Sequence, residues 1–389
     1  MAMRCGVGSL QPRAVRHALP QRARGSTDRK SRARVLSFGD RLCDGRADVR
    51  TLVVSDLHLG TRLERDVLRR AEALEALLGA LEGVERLVLL GDVVELLEGR
   101  PERAMDVAER VLRAVGARLG DGREVVLVPG NHDAALVGPW LRARRMSAAV
   151  DARIPCDATP LLARVTSWLG PAGVRVKYPG VWLGEGVWAT HGHYLDRHLL
   201  PEAAYGIARG WLGRIPGRGA TPADYERAGG PSLTRLEAWL TRWLPRPLAA
   251  LVDDLAEFLR AATMPGVPRR LLSRRIAPLT STLLGAQMRR ASIPALAQVV
   301  HRLQIDADWV IFGHVHRTGP FAGDDPHRWQ GAGGRPRIAN AGCWVYEPLL
   351  VHRAAPPHPY WPGGAILLEE GGEPQAIGVL DHLDAAQLH

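Results

Sequence analysis

Five short clusters of aspartate, asparagine and histidine are the residues of this sequence best suited to chemistry. In chain order they are Asp56-Leu57-His58, Gly91-Asp92, Gly130-Asn131-His132-Asp133, His191-Gly192-His193 and Gly313-His314-Val315-His316. Their side chains offer oxygen and imidazole nitrogen donors without a thiolate, and such a set suits Mn²⁺, Fe or Zn²⁺. We therefore expect these clusters to build a metal site.

The spacing of the clusters predicts a site for two ions rather than one. Asp56 and His58, two residues apart at the end of a strand, can face one ion, whereas the single carboxylate of Asp92 can bridge two. Two ions about 3.5–4 Å apart clamp phosphoryl oxygens and lower the pKa of a shared water, which creates a nucleophile at neutral pH. One such cluster alone would more often be a turn, a helix cap or a core residue. Five in order, each directly after an apolar strand, indicate a common site.

The elements that must position these clusters alternate between apolar runs and helical periodicity. The predicted strands are Thr51–Ser55, Arg86–Leu90 and Glu124–Val128, and the helices between them are Arg62–Leu81 and Glu102–Leu119, the second opened by Pro101. This alternation predicts an α/β sheet with parallel neighbours. Ligands of such sheets bind at the carboxyl ends of the strands, where each polar cluster lies.

Further strands follow, and a helical segment interrupts them. The later strands are Val187–Thr190, Trp309–Phe312 and Arg337–Ala341, followed by a hairpin over Ala365–Leu380 with its turn at Gly371-Gly372. Residues 196–304 carry helical apolar stripes punctuated by prolines, which predicts an inserted cap of several short helices within a domain spanning residues 51–389. Residues 1–50 lack sustained periodicity and are predicted to be a basic, disordered arm.

The composition excludes several classes of protein. With 46% hydrophobic and 24% charged residues among 389, the chain is typical of a globular protein. It has no run of about 18 apolar residues that would span a bilayer, and no apolar core of a secretory signal near the N-terminus. Its four cysteines are far apart, which suits a reducing compartment. We predict a cytoplasmic protein.

The formal charge of +10 is concentrated in residues 1–50 and in the insertion. A basic protein is typical of binding to nucleic acid or to an anionic membrane. However, only Lys30 and Lys177 are lysines among the 51 basic residues, a bias that also fits the codon usage of a GC-rich genome. Both interpretations stay open for the insertion, and the second is favoured for residues 1–50.

The ordered motifs DLH, GD, GNHD, HGH and GHVH resemble those of the calcineurin-like metallophosphoesterase superfamily over roughly residues 50–350. The resemblance implies a four-layer α/β/β/α sandwich, here with an inserted helical cap. It also implies a phosphoesterase with two divalent metal ions, for which Mn²⁺ is expected and Fe or Zn²⁺ are alternatives.

The resemblance assigns roles residue by residue. One metal would be bound by Asp56, His58 and His316, the other by Asn131, His191 and His314, with Asp92 bridging the two. His132 would lie beside the scissile phosphate, stabilising charge or protonating the leaving oxygen, and Asp133 would orient His132. Two residues are candidates for substrate binding: His193, which could equally support a metal ligand, and Arg317, which could equally be an ordinary surface arginine.

Within the superfamily, SDLHLG, GDVVE and FGHVHR resemble the UDP-2,3-diacylglucosamine hydrolase group most, as does the position of the insertion. There the insertion forms a lid over a lipid-bearing nucleotide. The resemblance implies hydrolysis of a phosphodiester or pyrophosphate bond in a nucleotide- or lipid-linked small molecule, and Trp211, Trp239 and Trp243 could give the cap peripheral contact with the inner membrane face. That group usually has arginine at the position of His132, and aspartate at that of His193.

Two other functions compete with this interpretation. The motif SDLHLG also resembles the first motif of DNA-repair exonuclease subunits, and the basic segments could follow a phosphate backbone. Nucleic acid is not favoured as a partner, because a groove that mixes aromatic and basic residues is not evident outside the insertion. A non-catalytic scaffold of the same fold would be marked by lost ligands, yet every expected ligand position is filled.

Overall fold

The computed structural model describes most of the chain from residue 49 onward. The described residues are 49–61, 63–98, 100–143, 149–199, 215–228, 292–348, 350–351 and 354–388. Nearly all of the predicted N-terminal arm, and residues 200–214 and 229–291 of the predicted cap, lie outside the described residues.

Twelve strands of the described residues form two sheets. They are Thr51–Val54 (β1), Arg86–Leu90 (β2), Glu124–Val128 (β3), Ala152–Ile154 (β4), Gly173–Tyr178 (β5), Gly180–Gly184 (β6), Val187–Thr190 (β7), Trp309–Phe312 (β8), Thr318–Gly319 (β9), Arg337–Ala341 (β10), Gly364–Leu368 (β11) and Gln375–Gly378 (β12). The first sheet has the order β12-β11-β1-β2-β3-β5-β4, and the second has the order β6-β7-β8-β10-β9.

The centre of each sheet is parallel. In the first sheet β1, β2, β3 and β5 run parallel, and at the edges β11 pairs antiparallel with β1, β12 with β11 and β4 with β5. In the second sheet β7, β8 and β10 run parallel, with β6 and β9 antiparallel. The carboxyl ends of the parallel strands therefore emerge along one edge of each sheet, as the sequence predicts.

Helices cover the outer faces of both sheets. Their bounds are Ala71–Ala80 (α1), Pro101–Leu119 (α2), Gly138–Ala143 (α3), Pro160–Trp168 (α4), Pro222–Arg227 (α5), 292–302 (α6) and Ala385–Leu388 (α7). Pro101 lies in the first turn of α2, where its missing N–H removes no helical hydrogen bond. No described helix is both long and apolar enough to cross a membrane.

Three apolar cores define the layers. Strand β2 shows the division, because Leu87 and Leu89 pack with the helices of the first sheet, whereas Val88 and Leu90 pack between the two sheets. A strand buried on both faces reads as a continuous apolar run, as β2 does. On the outer face of the second sheet, Leu296 and Val300 of α6 join the third core. The order helix, sheet, sheet, helix confirms the predicted α/β/β/α sandwich.

The first predicted helix is too long at its N-terminal end. The structure has a short 3₁₀ turn at Val67–Arg69 and begins α1 only at Ala71, not at Arg62. The carboxylate of Asp66 accepts hydrogen bonds from the Gly60 N–H at 3.0 Å and from the Thr61 hydroxyl at 2.9 Å. These contacts fold the segment back on the loop after β1, and this local network competes with helical hydrogen bonding.

Candidate dinuclear metal centre

The loops after five strands, three from the first sheet and two from the second, bring the predicted clusters to one place. Backbone hydrogen bonds join neighbouring loops: the Asp56 N–H donates to the Gly91 carbonyl at 3.1 Å, and the Gly313 N–H donates to the His191 carbonyl at 3.0 Å. The side chains of Asp92 and His191, from different sheets, approach within 3.1 Å. Residues 258 positions apart, such as Asp56 and His314, thus share one site.

Backbone strain is concentrated on the predicted ligands. Seven described non-glycine residues have a left-handed backbone, and five of them are predicted ligands: Asp56 (φ 54°), His58 (43°), Asp92 (51°), His314 (69°) and His316 (54°). Such a conformation costs on the order of 1–3 kcal/mol per residue and persists only where the surroundings impose it. It aims side chains on neighbouring loops into the same space, which is the pattern of a functional site.

Two glycines allow the loops to approach this closely. A Cβ atom on Gly130 would overlap the carboxylate of Asp92, and one on Gly313 would overlap the Ser55 hydroxyl and crowd the Asp56 carboxylate. The glycines of GNHD and GHVH are therefore needed by the packing of the clusters themselves.

Asp56, His58 and His316 form the first group that could hold a metal ion. Asp56 Oδ1 lies 3.3 Å from His316 Nε2 and 3.8 Å from His58 Nε2. Among the described residues, the buried atoms Asp56 Oδ1 and His58 Nε2 have no hydrogen-bond partner. Buried polar atoms without a partner are costly, and a cation between them would satisfy both. This donor set fits a divalent metal.

Asp92, His191 and His314 form the second group, with Asn131 beside it. His191 Nε2 lies 3.1 Å from Asp92 Oδ2 and 3.1 Å from Asn131 Oδ1. The other nitrogen, Nδ1, lies 3.1 Å from the Leu90 carbonyl. Since a carbonyl can only accept, Nδ1 carries the proton and Nε2 can present a lone pair to a metal.

Asp92 belongs to both halves of the site. Its Oδ2 atom lies 3.8 Å from His58 Nε2, in addition to its contact with His191. Its Oδ1 atom accepts a hydrogen bond from the His132 N–H at 2.7 Å, which fixes the carboxylate. The side chain is 2% exposed. Its position between the two groups is the one that the bridging role requires.

His132 is oriented by Glu95, not by Asp133 as predicted. His132 Nδ1 lies 2.7 Å from Glu95 Oε2, and the same oxygen lies 2.9 Å from His58 Nδ1. Asp133 instead accepts hydrogen bonds from the backbone N–H groups of Val93 and Gly130 at 2.8 and 2.6 Å, so its carboxylate holds two loops together. The sequence signal for Glu95 is its place three residues after Asp92.

The histidine His132 and the carboxylate of Glu95 stabilise each other's charged forms. Burial alone would lower the pKa of His132, but the carboxylates of Glu95 and Asp92 outweigh it and raise that pKa to about 9. Burial likewise opposes ionisation of Glu95, yet His132 and His58 lower its pKa to about 2. Asp133 differs, because burial and the nearby charge of Asp92 raise its pKa to about 6.

The two candidates for substrate binding have different surroundings. The His193 ring lies beside the second group, 5.5 Å from the ring of His191, and its Nε2 is 3.5 Å from the Tyr178 hydroxyl. Arg317 is 3% exposed, and Nη2 lies 2.8 Å from both carboxylate oxygens of Asp324. A guanidinium engaged in this buried pair supports the loop around it, so the predicted phosphate contact of Arg317 does not fit the geometry.

One contact to a predicted ligand is absent from the sequence-based assignment. Asp196, in the 3₁₀ helix His193–His198, places Oδ1 2.8 Å from His314 Nε2. The two residues are 118 positions apart, and no local pattern links them.

Comparison with known proteins identifies the domain. Residues 49–224 match a family model described as calcineurin-like phosphoesterase. No curated protein matches the sequence. Solved structures that align with it include a cold-active protein-tyrosine phosphatase of a psychrophilic Shewanella species, 14% identical over 83% of this chain and 76% of that chain, with a TM-score of 0.27. Another is a dimetal phosphatase from Danio rerio, 15% identical over 86% of this chain and 100% of that chain, with a TM-score of 0.29. TM-scores this low carry no argument about fold or function.

The matched region contains the first four polar clusters and ends within α5. The fifth cluster lies beyond it, yet the structure brings His314 and His316 to the same two groups of donors. Residues 49–224 therefore form a calcineurin-like phosphoesterase domain, and the chain is a metal-binding hydrolase of phosphoric esters.

Proposed function

We propose that the protein hydrolyses a phosphodiester or pyrophosphate bond of a nucleotide- or lipid-linked small molecule, using two divalent metal ions. The observation that carries this proposal is the position of Asp92, whose single buried carboxylate lies between two groups of metal-ligating side chains. A site with one bridging carboxylate suits a displacement at phosphorus, in which the attacking and leaving oxygens both need stabilisation.

The ligands divide between the two ions. Asp56, His58 and His316 would hold one, and Asn131, His191 and His314 would hold the other, with Asp92 shared. When bound, the two ions would supply charge stabilisation to the phosphoryl group and a nucleophile at neutral pH. We propose two Mn²⁺ ions because the donors are carboxylate, amide and imidazole groups. The same donors would also bind Fe or Zn²⁺.

His132 would act on the substrate itself. Since Glu95 engages Nδ1, Nε2 is the nitrogen left to face a phosphoryl or leaving oxygen. In the metal-free protein, the carboxylates of Glu95 and Asp92 outweigh the effect of burial and raise the pKa of His132 to about 9. The same carboxylates would favour a proton on the ring in the working site, from which Nε2 would donate a hydrogen bond to the developing charge or a proton to the leaving oxygen.

The motif resemblance and the place of the insertion support a substrate like that of the UDP-2,3-diacylglucosamine hydrolase group. A lipid-linked substrate would bring the cap to the inner face of a membrane, and a cytoplasmic enzyme with peripheral contact is the arrangement we propose. His132 and His193 stand where that group usually has arginine and aspartate, so the head group recognised here would differ in its contacts beside the phosphate.

The test is a side-by-side assay with Mn²⁺. The substrates are bis-nitrophenyl phosphate, UDP-linked lipids, nucleotide diphosphates, cyclic nucleotides and DNA. We expect turnover of bis-nitrophenyl phosphate that EDTA abolishes and Mn²⁺ restores, with UDP-linked lipid as the preferred natural class. Preferred cleavage of DNA, with DNA binding that falls steeply with salt, would favour a nuclease instead. Turnover of none of these substrates with any of the three metals would refute the proposal.

A further inference from the structure

Asp196 contacts a predicted ligand from outside the ligand clusters. Its carboxylate Oδ1 lies 2.8 Å from His314 Nε2, and its side chain is 48% exposed. It belongs to the short 3₁₀ helix that follows His191 and Gly192, so it approaches from the second sheet.

The backbone of His314 is already fixed. Its N–H donates to Asp56 Oδ2 at 2.8 Å, and its φ of 69° is left-handed. What remains free is the rotation of the side chain, which decides the ring nitrogen presented to the neighbouring donors Asp92 and His191. A carboxylate on one nitrogen removes that freedom, because a charged acceptor holds the N–H toward itself.

Two other proposed ligands, His58 and His191, show the same arrangement. His58 has Nδ1 on the Glu95 carboxylate, and His191 has Nδ1 on the Leu90 carbonyl. In each case one ring nitrogen is held by an oxygen acceptor and the other faces the donor group. In His314 the Asp196 carboxylate contacts Nε2, so Nδ1 is the nitrogen left to bind the metal.

We propose that Asp196 is a positioning residue that holds the His314 ring with Nδ1 toward the second metal. The inference rests on the proposed dinuclear function. Loss of a carboxylate that orients a metal-binding histidine lowers metal affinity about 10–100-fold. The effect should be confined to the ion that His314 binds.

The experiment titrates metal-free full-length protein with Mn²⁺ by calorimetry and with Co²⁺ by visible absorption. The variants are Asp196→Ala and Asp196→Asn, with Asp325→Ala as the control. Asp325 is a matched control because its side chain is 50% exposed and it also adjoins a 3₁₀ helix, Pro326–Arg328. In Asp196→Ala we expect one of two sites to weaken about 10–100-fold while the other keeps its affinity. Asp196→Asn, which keeps an oxygen acceptor, should recover part of the loss, and Asp325→Ala should match the wild type.

A double-mutant cycle with His314→Ala separates positioning from other effects. If Asp196 acts through His314, Asp196→Ala adds no further loss of affinity in the His314→Ala background. Equal losses in both backgrounds would overturn the proposal, as would wild-type affinity at both sites in Asp196→Ala and Asp196→Asn. If the wild type binds no second metal, the proposed function itself fails.

Discussion

The two sheets contribute unlike halves to the metal site. The first-sheet side consists of the residues from the loops after β1 and β2: Asp56, His58, Asp92 and Glu95. The second-sheet side consists of the residues that follow β7 and β8: His191, Asp196, His314 and His316. The carboxylates of the first-sheet side are between 0 and 2% exposed, whereas the side chains of Asp196, His316 and His314 are 48, 23 and 16% exposed.

The difference shows where the negative charge is fixed and where the site can adapt. Buried carboxylates are costly unless they are paired and hydrogen-bonded. The Asp56 carboxylate accepts a hydrogen bond from the His314 N–H, and the Glu95 carboxylate accepts hydrogen bonds from the N–H groups of Leu97 and Glu98. Although burial opposes ionisation, the histidines around Asp56 and Asp92 lower the pKa of both carboxyls. The first-sheet side thus supplies fixed charge, and the second-sheet side supplies imidazoles that are buried at His191 and more accessible at His314 and His316.

Asp92→Asn should have the largest effect, because it removes the charge at the centre of the first-sheet side. The amide keeps the shape but cannot serve two cations as a carboxylate does. We expect turnover of bis-nitrophenyl phosphate with Mn²⁺ to fall to background, and calorimetry to show fewer than two bound metal ions. His316→Ala, at a more accessible position, should leave more residual activity. Wild-type turnover in Asp92→Asn would show that the two halves do not share this carboxylate.

His132→Ala should come next and should separate catalysis from metal binding. His132 is held by Glu95 but is not one of the proposed ligands. Loss of an acid or a charge-stabilising donor costs about 10²–10⁴-fold in rate. We expect kcat to fall by that factor while Mn²⁺ still binds at both sites by calorimetry. A loss of metal with the activity would instead make His132 a ligand.

Glu95→Gln tests whether the single carboxylate of Glu95 orients both His58 and His132. Glu95 Oε2 contacts both His58 and His132, so the substitution disturbs one proposed ligand and one proposed catalytic residue together. We expect metal affinity and kcat each to fall about 10–100-fold. Glu109→Gln, which removes a carboxylate of α2 that pairs with Arg113, serves as the control. If Glu95→Gln affects metal affinity as little as Glu109→Gln does, the orienting role of Glu95 is wrong.

Stability without metal should depend on pH in a direction set by these histidines. The carboxylates of Glu95 and Asp92 raise the pKa of His132 to about 9 despite burial, from an ordinary value of 6.5. A histidine whose pKa is raised in the folded state stabilises that state fully below pH 6.5, and this contribution to the free energy of unfolding is lost as the pH rises through about 9. The free energy of unfolding of protein in EDTA, measured with urea, should therefore decrease from pH 6.5 to 9. Bound Mn²⁺ should flatten this dependence, since it competes with protons at the ligand histidines. A rise over this range in EDTA would contradict the assignment.

The comparison also shows what could be read from the sequence. The apolar runs of β1, β2 and β3 and their polar ends are local signals, and the structure confirms them. Strand β5 escaped prediction because only its last three residues are buried, and it carries Arg175 and Lys177 among its apolar residues. The extra length of the predicted first helix arose because a periodic pattern does not reveal the network around Asp66.

Partners of the site histidines were the hardest to predict. Asp133 is next to His132 in sequence, but the local backbone directs its carboxylate to Val93 and Gly130. Glu95 and Asp196 reach their histidines only through the meeting of loops from distant strands. Short sequence motifs reveal which residues are candidate metal ligands. The groups that orient these residues are brought to them by the tertiary structure, so the motifs do not reveal them.

Arg317→Met should have the smallest effect on turnover, because the geometry removes Arg317 from substrate binding. Its guanidinium pairs with Asp324, 4% exposed, and lies over the Trp329 ring at 5.1 Å. Removing one partner of a buried ion pair costs about 3–5 kcal/mol of unfolding free energy. We expect a loss of this size by urea unfolding, with KM for bis-nitrophenyl phosphate unchanged at a temperature where the variant is folded. Arg328→Ala, which breaks an exposed pair with Asp325, should cost less than about 1 kcal/mol. A raised KM with unchanged stability would restore Arg317 to the substrate site, and the second-sheet side would then contain a fixed positive charge.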